Sequence, residues 1–314
     1  MTRARVLLSL LFLSLVSLTS AGERPTYQFL QSDMTARSAA MAGSYVSMQD
    51  DPSGIFYNPA TIATLSRSAT SIGYTSHLLD IKSGSLAYSQ RAEDLGILGI
   101  GVQYVNYGTM DGRNDQGIST GTFNAGDLAV SASLAGSIDD NLYYGVTAKA
   151  IHSSIAEASS TALATDIGLM YVIPGDDPIT LGVSLMNMGA QLDAFGATKE
   201  RLPFELRAGG TIKPAHLPLQ LNLNFRRLTD ERNNFFDRFT AFTVGGEFIL
   251  SKALRFRFGY DNDLRKQLKI GTSAGMAGFS LGGGLVVKGV RFDYAYSSLG
   301  EIGAISRITI GLDL

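Results

Sequence analysis

Apolar and polar residues alternate with a period of two along most of this chain. In residues 253–261, Leu254, Phe256, Phe258 and Tyr260 fall on one side, and Arg255, Arg257, Gly259 and Asp261 on the other. In residues 289–297, Val290, Phe292, Tyr294 and Tyr296 alternate with Arg291, Asp293, Ala295 and Ser297. In residues 217–226, Leu219, Leu221, Leu223 and Phe225 alternate with Gln220, Asn222, Asn224 and Arg226. Successive side chains of an extended chain point in opposite directions, so each run describes a strand with one apolar and one polar face. The pattern predicts about fourteen strands, near residues 68–78, 81–90, 95–106, 127–138, 142–155, 163–173, 178–187, 203–213, 217–227, 239–250, 253–262, 277–287, 289–297 and 304–314. Most are roughly 9–12 residues long, enough for a tilted strand to cross a bilayer.

The links between these strands sort by parity, although those after strands 1, 5 and 13 are shorter than the other odd-numbered ones. Those after even-numbered strands are tight: 91–94, 139–141, 174–177, 214–216, 251–252 and 288. The long ones, 107–126, 188–202, 228–238 and 263–276, all follow odd-numbered strands and are rich in Gly, Asn, Asp, Arg and Ser. Short turns at one end and long loops at the other are the arrangement of an outer-membrane barrel whose first strand starts in the periplasm. A soluble sandwich has no reason to sort its loops this way. A fourteen-stranded barrel is also too wide for one layer of side chains to fill. The apolar faces are therefore expected to meet lipid. The polar set Glu205, Arg207, Arg226, Arg255, Arg257, Arg291, Asp293 and Arg307 is expected to line the lumen. The fold class is all-β, a transmembrane barrel.

Composition agrees with this picture. Charged residues are 17% of the chain, below the roughly 25% of soluble domains. Net charge is −2 and there is no basic cluster, so no nucleic-acid partner is expected. Phe and Tyr, 16 and 13 residues, can form interfacial girdles although there is no Trp. The absence of Cys excludes disulfides and thiolate metal sites. At the start, Arg3 and Arg5 precede an apolar run from Val6 to Leu18 and the small residues Thr19, Ser20 and Ala21. That order is a cleaved secretory signal, residues 1–21, and the run is too short to span a bilayer.

Residues 22–67 break the alternation. Residues 35–42 read as a short helix with Ala and Met on one face. Asp50, Asp51, Pro52, Ser53 and Gly54 make a turn, in which proline sets φ and glycine tolerates positive φ. Asn58 is expected to cap a short helix over 59–65, with Pro59 at its first position and Ala60 after it. A lumen this wide needs a filling, and this stiff stretch is expected to supply it as a plug, or hatch, ahead of a barrel over 68–314. Asp50, Asp51, Pro52, Asn58, Pro59 and Ala60 are its candidate gating residues.

Several elements of this stretch are similar to the N-terminal signature of the PorV/PorQ family. They are Phe29-Leu30, the run from Thr35 to Gly43, Asp50-Asp51-Pro52-Ser53 and Tyr57-Asn58-Pro59-Ala60. The closing stretch from Tyr294 to Ile308 is also like that family's last hairpin. The resemblance implies an outer-membrane protein that serves type IX secretion, with cargo proteins and other secretion components as partners and no chemistry of its own. The family is in turn similar to FadL-like fatty-acid transporters, fourteen-stranded barrels with an N-terminal plug. Their passive uptake of a hydrophobic small molecule is the alternative, and a structural envelope barrel a second one. On each reading the barrel sits among outer-membrane lipid and lipopolysaccharide with both termini periplasmic.

Candidate chemistry is sparse. The histidines are His77, His152 and His216, and only His152 has an acid, Asp166, on the neighbouring strand. A buried lumenal pair of this kind would need a serine to join it before it could act as a triad, and no enzyme activity is expected. Asp50 and Asp51 read as turn and cap residues before a metal contact. No cofactor is expected. The lumenal arginines read either as a carboxylate contact or, preferred, as partners of Asp50, Asp51, Glu205, Glu247 and Asp293.

Overall fold

In the computed structural model, residues 25–314 are described except 94, 231, 233 and 270–272. The signal sequence expected over 1–21 lies outside them. Fourteen strands form one closed antiparallel barrel, each pairing with its neighbours in the chain. The strands are β1 Ala69–Ser76, β2 Lys82–Ala92, β3 Gly96–Arg113, β4 Ser119–Asp139, β5 Leu142–Ile155, β6 Ala158–Ile173, β7 Ile179–Asp193, β8 Glu205–Ile212, β9 Leu219–Phe225, β10 Phe242–Ile249, β11 Leu254–Asp261, β12 Phe279–Val287, β13 Val290–Ser298 and β14 Ala304–Asp313. Closure is made by β1 on β14, from Ala69 opposite Asp313 to Ser76 opposite Ser306. No helix of the described residues is long and apolar enough to cross a membrane; the chain crosses with strands.

The phase of the alternation is that of an outer-membrane barrel. Ile72, Tyr74, Leu223, Phe256, Phe292, Tyr294, Ile308 and Ile310 are exposed on the outside. Between them in sequence, Asn222, Asn224, Arg257, Asp293, Arg307 and Thr309 are buried on the inside. An outward apolar wall has no protein partner and needs none in hydrocarbon.

The wall is uneven in height. Strands β3 to β7 are 14 to 21 residues long, whereas β8 to β11 have 7 or 8. The expected loop 107–126 is mostly strand: β3 runs to Arg113 and β4 begins at Ser119, paired beyond a bulge between Asn106 and Thr109. Both faces of this extension meet solvent, with Thr109, Asp111, Arg113, Thr122 and Asn124 exposed and Met110 and Phe123 half-buried, so the hydrogen-bond ladder continues where the alternation stops.

From Tyr27 to Leu65 the chain makes only short elements, a helix at Ala36–Ala40 and 3₁₀ turns at Gln28–Gln31, Pro52–Phe56 and Pro59–Thr64. Nearly all of it is buried against inward-facing wall residues. Thr26 N–H donates to the Arg201 carbonyl in the β7–β8 link. Leu65 leads into β1 at the end of the barrel that holds the even-numbered turns. Thr26 and Leu314 thus lie at opposite ends of the barrel.

Candidate functional site

The buried N-terminal segment holds its shape by capping. Thr35 Oγ1 accepts from Ser38 N–H at 3.4 Å and starts Ala36–Ala40. Asp51 Oδ1 accepts from Ser53 N–H at 2.9 Å, and Pro52 fills the first helical position, where an N–H would have no partner. Asn58 repeats the device: its Oδ1 accepts from Ala60 N–H at 3.0 Å, ahead of Pro59. Its amide nitrogen donates to the Val46 carbonyl at 2.7 Å and to the Leu169 carbonyl of β6 at 3.1 Å. One side chain thus caps a turn, ties two parts of the segment and fastens both to the wall. Replacing Asn58 by Ala removes all three bonds. The expected cost is about 2–3 kcal/mol, read as a lower urea midpoint in detergent micelles with the β-signal in circular dichroism unchanged.

The charged groups form a closed ring. Arg37 of the segment pairs with Asp51 at 3.0 Å and with Glu247 of β10 at 2.9 Å. Glu247 also pairs with Arg257 of β11, which reaches Asp293 of β13 at 2.7 Å. Asp293 pairs with Arg291 at 2.8 Å, and Arg291 returns to Asp51 at 2.8 Å. Three cations and three anions alternate around this cycle, so its net charge is zero. Every member has two partners of opposite sign, which is what makes burial of six charges tolerable. Tyr45 donates its hydroxyl to Asp51 at 2.7 Å. Burial pushes the Asp51 carboxyl up, but Arg291, Arg37 and two hydroxyl donors outweigh it and hold the group well below the usual carboxylate range.

Other inward charges pair in smaller groups. Arg207 meets Glu205 at 2.7 Å, and Glu205 also accepts from Gln31 of the segment at 3.4 Å. Arg226 pairs with Asp261. Arg307 donates to the Asp33 carbonyl at 3.0 Å and to Ser297 Oγ at 3.1 Å. Arg255 shares the inward face but turns back to the Ser251 and Leu254 carbonyls of its own turn. Asp50 is exposed, with positive φ, and only its N–H is held, by Thr64 Oγ1 at 3.0 Å. It joins none of the arginines, unlike the expectation that grouped it with Asp51.

The His152–Asp166 pairing does not form. His152 points outward, whereas Asp166 is inward and pairs with Lys149 at 2.7 Å. Lys149 also donates to Asn187 Oδ1 at 2.9 Å. Residues 149 and 152 of one strand differ by an odd step and so face opposite sides. Among the described residues no group of three metal-ligating side chains occurs.

Two further features mark the contact between segment and wall. Inward glycines stand where the segment comes closest. A Cβ at Gly145 would lie under 3.0 Å from the Pro59 and Ala60 backbone, one at Gly168 would strike Asn58, and one at Gly182 the Val46 carbonyl. The second feature is apolar. Tyr27, Phe29, Leu30 and Met34 pack on Val105, Ala129, Ile151, Ala162 and Ala164 of the wall and Leu202 of the β7–β8 link, one of the apolar patches inside the barrel; another sets Ile55, Phe56 and Ile62 against Ala69, Ala87, Ile97 and Ala135. At the even-turn end a cavity of about 470 Å³ is lined by Gln49, Asp50, Thr64, Leu65, Arg91 and Tyr143.

No family model matches the chain, and no curated protein matches it. Solved structures do. The Pseudomonas putida toluene transporter TodX aligns with TM-score 0.58 at 12% identity, covering 88% of this chain and 96% of that one. The Ralstonia pickettii toluene transporter TbuX aligns with TM-score 0.54 at 13% identity, over 88% and 96%. A Pseudomonas aeruginosa FadL homologue aligns with TM-score 0.54 at 12% identity, over 89% and 98%. The chain thus shares its barrel fold with these proteins. These likenesses overturn the PorV/PorQ reading, and with it type IX secretion and its cargo proteins as partners. The physical reason lies in the motif. Asp51-Pro52 and Asn58-Pro59 are cap-and-proline pairs, and Arg37 closes an ion ring. These are what a short segment needs to fold against such a wall, so the motif reports this packing and not a secretion role.

Proposed function

We propose that this protein is a passive channel for small hydrophobic molecules, with residues 22–67 as a hatch inside the barrel. The observation that carries the reading is the apolar patch of Val105, Ala129, Ile151, Ala162, Ala164 and Leu202, covered by Tyr27, Phe29 and Leu30 of the segment. A water-filled pore gains nothing from such a patch. A hydrophobic solute does, because withdrawal of the segment as a whole exposes a surface of its own polarity. The fold shared with the toluene transporters supports the same class of substrate. The reaction is movement only, and no side chain needs to exchange a proton or form a bond.

Within the hatch, Asp51, Pro52, Asn58, Pro59 and Ala60 are the residues that set its resting position, through the ion ring and the two caps. Asp50 faces the even-turn cavity and acts, if at all, on what leaves there. The barrel's lipid-facing wall makes outer-membrane lipid and lipopolysaccharide its surroundings, with the even-numbered turns and Leu314 on the periplasmic side.

A crosslink tests both parts. Ser47 Oγ lies 2.7 Å from Thr211 Oγ1 of β8, and the chain has no Cys. In proteoliposomes, the Ser47→Cys/Thr211→Cys protein is expected to take up radiolabelled toluene when reduced and to lose most of that uptake when oxidised. Uptake that ignores oxidation rejects the hatch. Uptake no faster than through protein-free vesicles rejects the channel.

A further inference from the structure

The link between β9 and β10 carries the most exposed aromatic cluster on the protein's described surface. Phe235, Phe236 and Phe239 are 65%, 79% and 40% exposed. They lie on the 3₁₀ turn Phe235–Thr240. The rings of Phe235 and Phe236 are 5.7 Å apart, those of Phe235 and Phe239 5.6 Å. Phe239 then stacks edge-on to Phe225, 5.5 Å away. Phe225 faces outward on β9, directly opposite Phe242 of β10. The cluster is thus continuous with the lipid-facing wall.

The polar side of the same link is already occupied. Arg232 pairs with Asp230 and Asp263 at 3.8 and 3.6 Å. Arg238 donates to the Leu228 carbonyl at 3.4 Å, and Asn262 donates to the Thr240 carbonyl at 2.8 Å. These bonds fasten the link to the barrel rim by its polar groups, leaving the phenyl rings on the far side.

The position matters because the wall beneath is short. Strands β8 to β11 have 7 or 8 residues. Eight residues span about 26 Å along the strand and, tilted, about 20 Å along the membrane normal, below the roughly 25 Å apolar band of such barrels. We infer that the 235–240 turn is a membrane-dipping element, its Phe side chains inserted among the acyl chains of the outer leaflet to complete the apolar band above β9 and β10. Arg232, ahead of the turn, and Arg238, held on its rim side by the Leu228 carbonyl, then sit at headgroup level. The inference rests on the barrel crossing a bilayer and is independent of what the barrel transports.

The chain contains no Trp, so one introduced Trp reports its own surroundings. The full-length Phe236→Trp protein is reconstituted into phosphatidylcholine vesicles with or without brominated acyl chains. Ile118→Trp, at the 60% exposed tip of the β3–β4 hairpin, serves as the aqueous reference. The expected result is a several-fold loss of Phe236→Trp emission in brominated vesicles and a blue-shifted maximum relative to Ile118→Trp. The same experiment on Phe235→Trp guards against a local disturbance at one position. Emission from both positions that is quenched by aqueous acrylamide and untouched by bromine overturns the inference, and points to a loop lifted clear of the membrane.

Discussion

Replacing Arg257 by Met destabilises the barrel by about 3–5 kcal/mol, the usual cost of removing one partner from a buried ion pair. Arg257 is among the largest fully buried side chains of the protein. It neutralises Glu247 and Asp293 together. Without it, each carboxylate keeps one arginine, and the ring carries a net negative charge in a place water does not reach. The substitution of Met keeps the volume, so the loss is electrostatic and not a cavity. The check is the urea midpoint of the purified protein, followed by the heat-dependent gel shift of a folded barrel. Arg255 supplies the control. It lies two residues away on the same face but bonds only to its own turn, so Arg255→Met is expected to change stability by no more than about 0.5 kcal/mol. The double variant Arg257→Met/Glu247→Gln restores neutrality and is expected to recover most of the loss, a coupling that a double-mutant cycle measures directly. Equal effects at 255 and 257 reject the ring as the anchor.

The strand count, and the phase of the segments 217–226, 253–261 and 289–297, were legible because lipid outside and polar groups inside impose one period on the whole wall. The 142–155 strand was placed to the residue for that reason. Legibility ended where that constraint ends. Above the membrane both faces of the β3–β4 hairpin meet water, so nothing in residues 107–126 distinguished a ladder from a loop. The outward position of His152 was available from phase alone: Gly145, Thr147 and Lys149 share one face, and His152 is on the other. All of the ring but one member was legible. Arg257, Arg291 and Asp293 were expected inside, with Asp51 and Glu247 among the partners of the arginines, but Arg37 was not singled out as a charge, since a single cation among Ala and Ser says nothing of its reach. The signal that points to it is that lone charge, in a stretch otherwise small and buried. Asn58 and Pro59 were readable as a cap because capping is local. Their meaning for function was not, because the same local chemistry serves any segment folded against an inner wall.

The inward glycines make the opposite case, since they look like weak strand formers until the segment is placed against them. Alternation calls for a polar side chain at Gly145 and Gly168, and glycine there costs strand stability. The structure supplies the compensation: these positions let the backbone of Pro59 and Ala60 and the Asn58 side chain lie directly on the wall. Gly145→Val is therefore expected to expel the 59–64 turn while leaving the barrel closed, because Gly145 keeps its backbone pairing with Ala135 and Gly168 in either case. The expected readout is a new ion conductance in planar bilayers, several-fold above the wild-type protein, with the heat-dependent gel shift retained. Overpacking of this kind also costs about 1–3 kcal/mol, seen as a lower urea midpoint. Gly84→Ala is the matched control: its nearest neighbour beyond the adjoining residues is 3.7 Å away, ordinary contact, so neither conductance nor midpoint should move. If Gly145→Val unfolds the barrel, the milder Gly168→Ala places a single carbon against Asn58 and asks the same question of the cap. A wall that accepts both without a change in conductance is not shaped to the segment, and the lumen is then filled by loose association and not by fit.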